Sequence, residues 1–235
     1  GVIPYDVNNP LWSSGTDKHR WVAIPQDGNV NSSDEQIGYS EEGAWTFPVG
    51  TTFIKHFNNP NGTKLETRLW VHGTDGEWFG SSYKWRANGM EADLILLGDN
   101  ETITIDGDTF DYEYPASNTC VQCHNSSAGW VLGFSTRQLN KEIEYPSTGR
   151  FSNQLETLGS LGFIPVVDTN TVPTLVSIKD NNQPLETRVR SYFDSNCAYC
   201  HLPGNTRAGF DMRFSTPLSE QALIHGAIIE DETGS

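Results

Sequence analysis

The pentapeptides Cys120-Val-Gln-Cys123-His124 and Cys197-Ala-Tyr-Cys200-His201 use all four cysteines of the chain. In each, two thiols one helical turn apart are followed at once by an imidazole, so two sulfurs and one ring are committed to the same small volume. Thiols at this spacing can form thioethers with the two vinyl groups of one haem while the adjacent histidine reaches the iron. Cys-x-x-Cys-His is the attachment signature of c-type haem, with the histidine as proximal ligand. Two copies with no cysteine left over point to two covalently attached c-type haems (iron), bound through Cys120, Cys123 and His124 and through Cys197, Cys200 and His201.

Other uses of the motif fit less well. A structural zinc site draws four N and S ligands, its cysteine pairs usually a dozen or two residues apart. Here 73 residues lie between Cys123 and Cys197, and each pair brings its own histidine. Two thioredoxin-like disulfides are compatible with an oxidising compartment but leave both histidines without a purpose.

The residues leading into the second motif agree with haem. Leu185, Val189, Tyr192, Phe193 and Cys197 recur at helical spacing, and Pro184 suits the first turn. The expectation is an amphipathic helix whose last turn meets a porphyrin. An ordinary helix would account for the stripe but not for the motif at its end.

At 235 residues the chain is long enough to bury a core unaided and can hold one large domain or two small ones. Thirty acidic and 15 basic side chains give a formal charge of −15, most of the excess lying before residue 116. That field opposes nucleic acid and anionic membranes and favours a cationic partner, although it also serves plain solubility. No run of about twenty apolar residues offers a membrane span. The abrupt start at Gly1 reads as a processed product. Haem attachment of this kind takes place outside the bacterial cytoplasm, so the expected location is periplasmic or extracellular.

Before residue 116 the pattern is one of short strands: 21–24, 52–57, 65–72, 78–85, 92–97, 102–105 and 109–114, broken by Gly, Asn and Asp. Asp106-Gly107 reads as a tight hairpin. Trp and Tyr are frequent here, which suits a carbohydrate-binding face but more often means core packing. Asp27 to Asn31 has some calcium-loop character, yet Ser32 stands where glycine is wanted. After Pro115, helices are expected over 137–140, 153–158, 185–196 and 219–225, with a loop over 168–184. The resulting expectation is an α+β fold: an N-terminal antiparallel β-sandwich (1–115) packed against a mostly helical c-type cytochrome half carrying both haems (116–235). Pro115 to Thr119 is too short to separate two free domains.

Several stretches resemble a bacterial family of exported proteins with two Cys-x-x-Cys-His motifs, some fused to sugar-dehydrogenase-like or polysaccharide-related modules. The matching residues include Gly1-Val-Ile-Pro-Tyr5, Trp45-Thr-Phe-Pro-Val-Gly-Thr51, Lys55-His-Phe57, Leu65-Glu-Thr-Arg68, Tyr83-Lys-Trp85, Gly129-Trp-Val-Leu-Gly-Phe134, Asn153-Gln-Leu155, and Arg188 through His201-Leu-Pro-Gly204. The likeness covers nearly the whole chain. It implies an electron-transfer protein whose partner would be an exported dehydrogenase or oxidase. One departure stands out: relatives continue past Thr216-Pro217-Leu218 to a Met-containing segment that resembles the distal ligand of the second haem, and no such segment occurs before Ser235.

The second axial ligands are harder to read. His19, His56, His72, His225, Met90 and Met212 are the remaining donors. His56 is the expected partner of His124 because it sits within a strand, where a buried polar ring needs a partner. His225 is the expected partner of His201, with an open position as the alternative. Paired histidines would make both haems electron carriers. An open position would permit peroxide chemistry, and a histidine lent to a neighbouring copy would build a self-associated filament.

Overall fold

Alternating apolar and polar residues set the framework. The computed structural model describes residues 1–26, 32, 35–105, 107–203 and 209–224. In it, β1 (Ile3–Tyr5), β2 (Asp17–Ala23), β3 (Thr52–Asn58), β4 (Lys64–His72), β5 (Trp78–Trp85) and β6 (Ala92–Ile95) pair in chain order as one antiparallel sheet. Successive side chains of a strand point to opposite faces. Val22, Phe53, Phe57 and Trp70 are buried on the inner face, and the register aligns Val22 with Phe53 and Phe53 with Trp70. A second row on that face runs Arg20, Lys55, Arg68, Ser82 across β2 to β5.

The Asp106-Gly107 turn is expected between β7 (Asp99–Ile105) and β8 (Asp108–Tyr114), whose ends pair Ile105 with Asp108; Asp106 itself lies outside the described residues. The two strands form a separate ribbon rather than the second layer of a sandwich. Its Ile103, Ile105, Tyr112 and Tyr114 pack with Leu65. Buried Glu66 ties the ribbon to the sheet, accepting from the Tyr112 hydroxyl at 2.8 Å and pairing with Arg68.

The mostly helical half expected after Pro115 does not form. Strands make up 29% of the structure and helices 14%, so the fold is dominated by sheet. Beyond β8 the described residues hold a 3-10 turn (Ser117–Gln122) and three helices, α1 (Thr136–Leu139), α2 (Gln154–Ser160) and α3 (Leu185–Asn196). A hairpin of β9 (Glu142–Tyr145) and β10 (Arg150–Asn153), not anticipated from the sequence, lies between α1 and α2. Pro165, Pro173 and Pro184 interrupt the chain, and the Asn, Asp and Thr between them favour turns over helix. The helix expected over 219–225 is also absent over its described part, which is turn and bend through Ile224. There Gln221 is buried, its amide donating to the Arg213 carbonyl at 2.8 Å, and Ala222 takes a left-handed φ of 55°.

One apolar cluster draws on both sides of residue 115. Tyr5, Trp45, Phe47 and Phe53 surround Phe134 with ring centroids 4.9 to 5.5 Å from it. Such edge-to-face pairs each add about 0.5–1.5 kcal/mol beyond area burial. Phe134 follows the first Cys-x-x-Cys-His motif by ten residues, so this packing anchors the segment after the motif to the sheet. Two buried glutamines tie down the N-terminal segment. Gln154 Oε1 accepts from the Asp6 amide and its Nε2 donates to the Asp6 carbonyl. Gln138 makes the same reciprocal pair with Asn9 and also donates to Ser195 Oγ at 2.8 Å, joining α1 to α3.

Candidate haem-attachment sites

The two motifs share one backbone turn. His124 and Cys123 amides donate to the Cys120 carbonyl at 2.9 and 3.3 Å; His201 and Cys200 amides donate to that of Cys197 at 2.9 and 3.1 Å. None of the four cysteines forms a disulfide. No group of three or more His, Cys, Asp or Glu side chains among the described residues is arranged to hold a metal ion. A zinc site needs such convergence, whereas haem iron takes only one or two donors from the protein.

The first motif sits on the sheet. A Cβ at Gly80 of β5 would lie 2.5 Å from Cys120 Sγ and 3.2 Å from the Trp70 ring, so the absence of a side chain there lets the thiol rest against the strand. The His124 ring lies on Trp70, centroids 4.5 Å apart. Its Nδ1–H donates to the Trp130 carbonyl at 2.8 Å, which leaves Nε2 as the nitrogen with a free lone pair. A hydrogen bond of this kind orients a metal-binding imidazole and fixes its tautomer. The carbonyl is aimed by Gly129 and Trp130, both left-handed at φ 71° and 65°. That conformation is rare for a bulky residue, and the Trp130 amide bonded to the Asn125 carbonyl holds it. Burial, then the nearby Lys55 cation, pushes the His124 imidazole down to about 3, keeping it neutral as a ligand must be.

Cys120, Cys123 and His124 all line a cavity of about 520 Å³, within the ~300–1,000 Å³ of small-molecule and cofactor sites. Its floor is the inner sheet face, with Phe53, Phe57, Trp70 and the cations Lys55 and Arg68; Lys18 and Arg20 close the β2 side. Leu132 and Gly133 border it from the segment after the motif. Ser195 and Tyr199, from the end of α3 and the second motif, complete the wall. Apolar surface, a neutral imidazole with one nitrogen free and two thiols on the same wall fit a covalently held porphyrin.

The second motif begins where α3 ends, Cys197 and Ala198 amides both bonded to the Phe193 carbonyl. His201 stacks on Phe210 with centroids 4.3 Å apart, and its Nδ1 is buried without a partner among the described residues. The segment after it returns across the motif, with the Met212 amide on the His201 carbonyl and the Phe214 amide on Asp194. The α3 stripe is not core: Leu185 is 65% exposed, and Val189, Tyr192 and Phe193 are half-buried. The buried face of the helix is Ser191 and Ser195.

Of the two expected distal ligands, His56 is described, and it is not brought to a motif. His56 stands between Lys55 and Phe57, so strand alternation turns it to the outer face, away from His124. Its Nδ1 lies 2.7 Å from Thr67 Oγ1 and its ring meets the edge of Trp85. His72 stacks on Trp78 with both nitrogens on carbonyls, those of Phe47 and Gly76. His19 pairs across strands with His56, and Met90 is 80% exposed. His225 and the calcium-like stretch from Asp27 to Asn31 lie outside the described residues. Sequence reasoning missed Lys55, Arg68 and Tyr199 as wall residues, although Phe53 and Phe57 at the same parity as Lys55 signalled its inward side. No family model, curated protein or solved structure matches the chain.

Proposed function

We propose that this protein is an exported electron carrier with two covalently attached c-type haems, as the resemblance to di-haem cytochromes implies. The observation that carries the reading is the meeting of Cys120, Cys123 and a neutral, Trp130-oriented His124 on the wall of one cavity. When bound, the haem supplies reversible one-electron chemistry, its potential set by axial ligand, burial and nearby charge. Cys120 and Cys123 fix the cofactor to the sheet, His124 offers Nε2, and Phe53, Phe57 and Trp70 exclude water. Cys197, Cys200 and His201 hold the second group beside α3. Net charge of −15 favours a cationic docking surface on the partner, an exported dehydrogenase or oxidase.

The test is to produce the chain with a haem-attachment apparatus and measure haem per chain by the pyridine assay. Two haems per chain and a c-type reduced spectrum are expected. A haem-free protein holding zinc would overturn the reading. A second reading, peroxide reduction at an open iron position, is favoured by one fact: among the described residues, His124 is the only His or Met side chain lining the cavity. Carbon monoxide binding to the reduced protein would support it, and failure of both carbon monoxide and cyanide to bind would exclude it.

A further inference from the structure

The inner sheet face carries a group of charges that attachment alone does not use. Lys18, Arg20, Lys55 and Arg68, four of the 15 basic residues in a chain of net charge −15, all line the one cavity. They are cross-strand neighbours: Arg20 is aligned with Lys55, and Lys55 with Arg68. Two have acidic partners, Arg68 with Glu66 and Arg20 with Asp6. Among the described residues, the Lys18 ammonium reaches the Leu11 carbonyl and the Phe57 ring and no acidic group. The Lys55 side chain forms no ion pair or hydrogen bond among the described residues. The acidic side chain on the cavity wall, Glu113, is exposed on β8 and pairs with none of the four. Enclosed cations without counter-charges are costly, and burial together with Arg20 and Arg68 pushes Lys55 down to about 7. Burial likewise pushes Lys18 down to about 6, so the cavity has apolar walls and two lysines without acidic partners among the described residues, whose charged forms a bound anion would favour.

Lys18 and Arg20 stand on the side opposite the motif, and Lys55, on β3, stands between them and it, near enough to His124 to lower its pKa. Cys120 rests on Gly80 of β5, while Lys18 and Arg20 belong to β2, three strands away. Neighbouring strands lie about 4.8 Å apart, so the cavity floor runs roughly 14 Å from thiol to cation by the same spacing. A haem has the same polarity, its vinyl groups on one edge and its two propionates on the opposite one. We propose that Lys18, Arg20 and Lys55 clamp the carboxylates of the haem attached at Cys120 and Cys123, so that its thioether edge lies on β5 and its acid edge on β2. This rests on the haem reading above and adds the orientation and the residues that recognise it. Charge-assisted hydrogen bonds to carboxylate are the strong class, and here they would also supply the missing counter-charge.

The discriminating experiment uses the full chain made without haem attachment, titrated with ferric protoporphyrin and with its dimethyl ester, following quenching of tryptophan fluorescence from residues such as Trp70. The diacid is expected to bind at least about tenfold more tightly than the diester, a difference of ~1.4 kcal/mol. In a Lys18→Gln/Lys55→Gln variant the diacid should weaken to the level of the diester, and diester affinity should hold. Equal binding of acid and ester by the unsubstituted chain overturns the clamp and leaves the haem reading standing. Retention of the preference in the variant also overturns it. If neither porphyrin binds, the cavity is no porphyrin site and both fall. Lys55→Gln alone, with its thermal melt recorded, gives the same comparison should the double variant fold poorly. In the haem-loaded protein, the same substitutions should lower the reduction potential of one haem only, because nearby cations favour the ferrous state.

Discussion

Cys120 can lie flat on β5 only because residue 80 lacks a side chain. In Gly80→Ala the new methyl group would stand 2.5 Å from the thiol sulfur, with Cys120 Cβ at 3.1 Å and the Trp70 ring at 3.2 Å behind it. None of these atoms is the loose end of a long side chain, so the 3-10 turn must lift off the strand. Forcing a methyl group into such a contact costs about 1–3 kcal/mol. Chemical denaturation of the haem-free chain should register that loss, and mass spectrometry of the loaded protein should find haem depleted at the first motif but not the second. An unchanged unfolding midpoint would mean the turn does not seat on Gly80. The expectation for His124 comes from two cysteines a turn away, whereas the carbonyl that orients its ring comes from Trp130, whose left-handed backbone no sequence pattern announces.

Strands and helices differ in how faithfully their sequences report the inward face. In β3 the parity of Phe53 and Phe57 assigns Lys55 to the cavity and His56 to the outer surface, and the expectation of His56 as a ligand overlooked an alternation that was visible. In α3 the opposite happened. The apolar stripe Leu185, Val189, Tyr192, Phe193 was clear, but the helix buries Ser191 and Ser195 instead, because two small hydroxyls allow close approach and satisfy polar groups of other segments. Ser191 Oγ accepts from the Val176 amide at 3.1 Å, and Ser195 Oγ bridges Gln138 and the Ser191 carbonyl. Such long-range polar pairing has no period to find. The β2–β8 strands were legible from alternation and turn residues, while the β9–β10 hairpin and the shortness of the helices depended on packing. Accordingly Ser191→Ala, which takes the acceptor from the part-buried Val176 amide, should cost about 1 kcal/mol or more, while Leu185→Gln should stay within about 0.5 kcal/mol as an exposed change. Equilibrium unfolding of both variants measures the contrast, and a larger loss in Leu185→Gln would restore the stripe as core.

On the scale of the whole molecule, the two motifs meet although 73 residues separate them. Tyr199, between Cys197 and Cys200, lines the cavity of the first motif, and its phenol oxygen accepts the Gly133 amide from the segment that follows that motif. Burial raises this phenol far above its usual range, so it stays neutral and contributes a low-dielectric wall rather than a charge. A haem on Cys197 and Cys200 would thus share Tyr199 with the haem on Cys120 and Cys123. With both groups bound, an electron on one would disfavour an electron on the other through that shared low-dielectric wall. Potentiometric titration of the loaded protein should resolve two one-electron waves. Tyr199→Phe keeps the ring in the wall and should leave their separation as it is. Tyr199→Ala admits water between the two sites, raises the local dielectric and should draw the waves together, most clearly at low salt, where screening does not already do so. The haem count of both variants separates this effect from failed attachment. Waves equally spaced in Tyr199→Ala and the unsubstituted protein would mean that the two haems titrate independently, each in the field of its own surroundings.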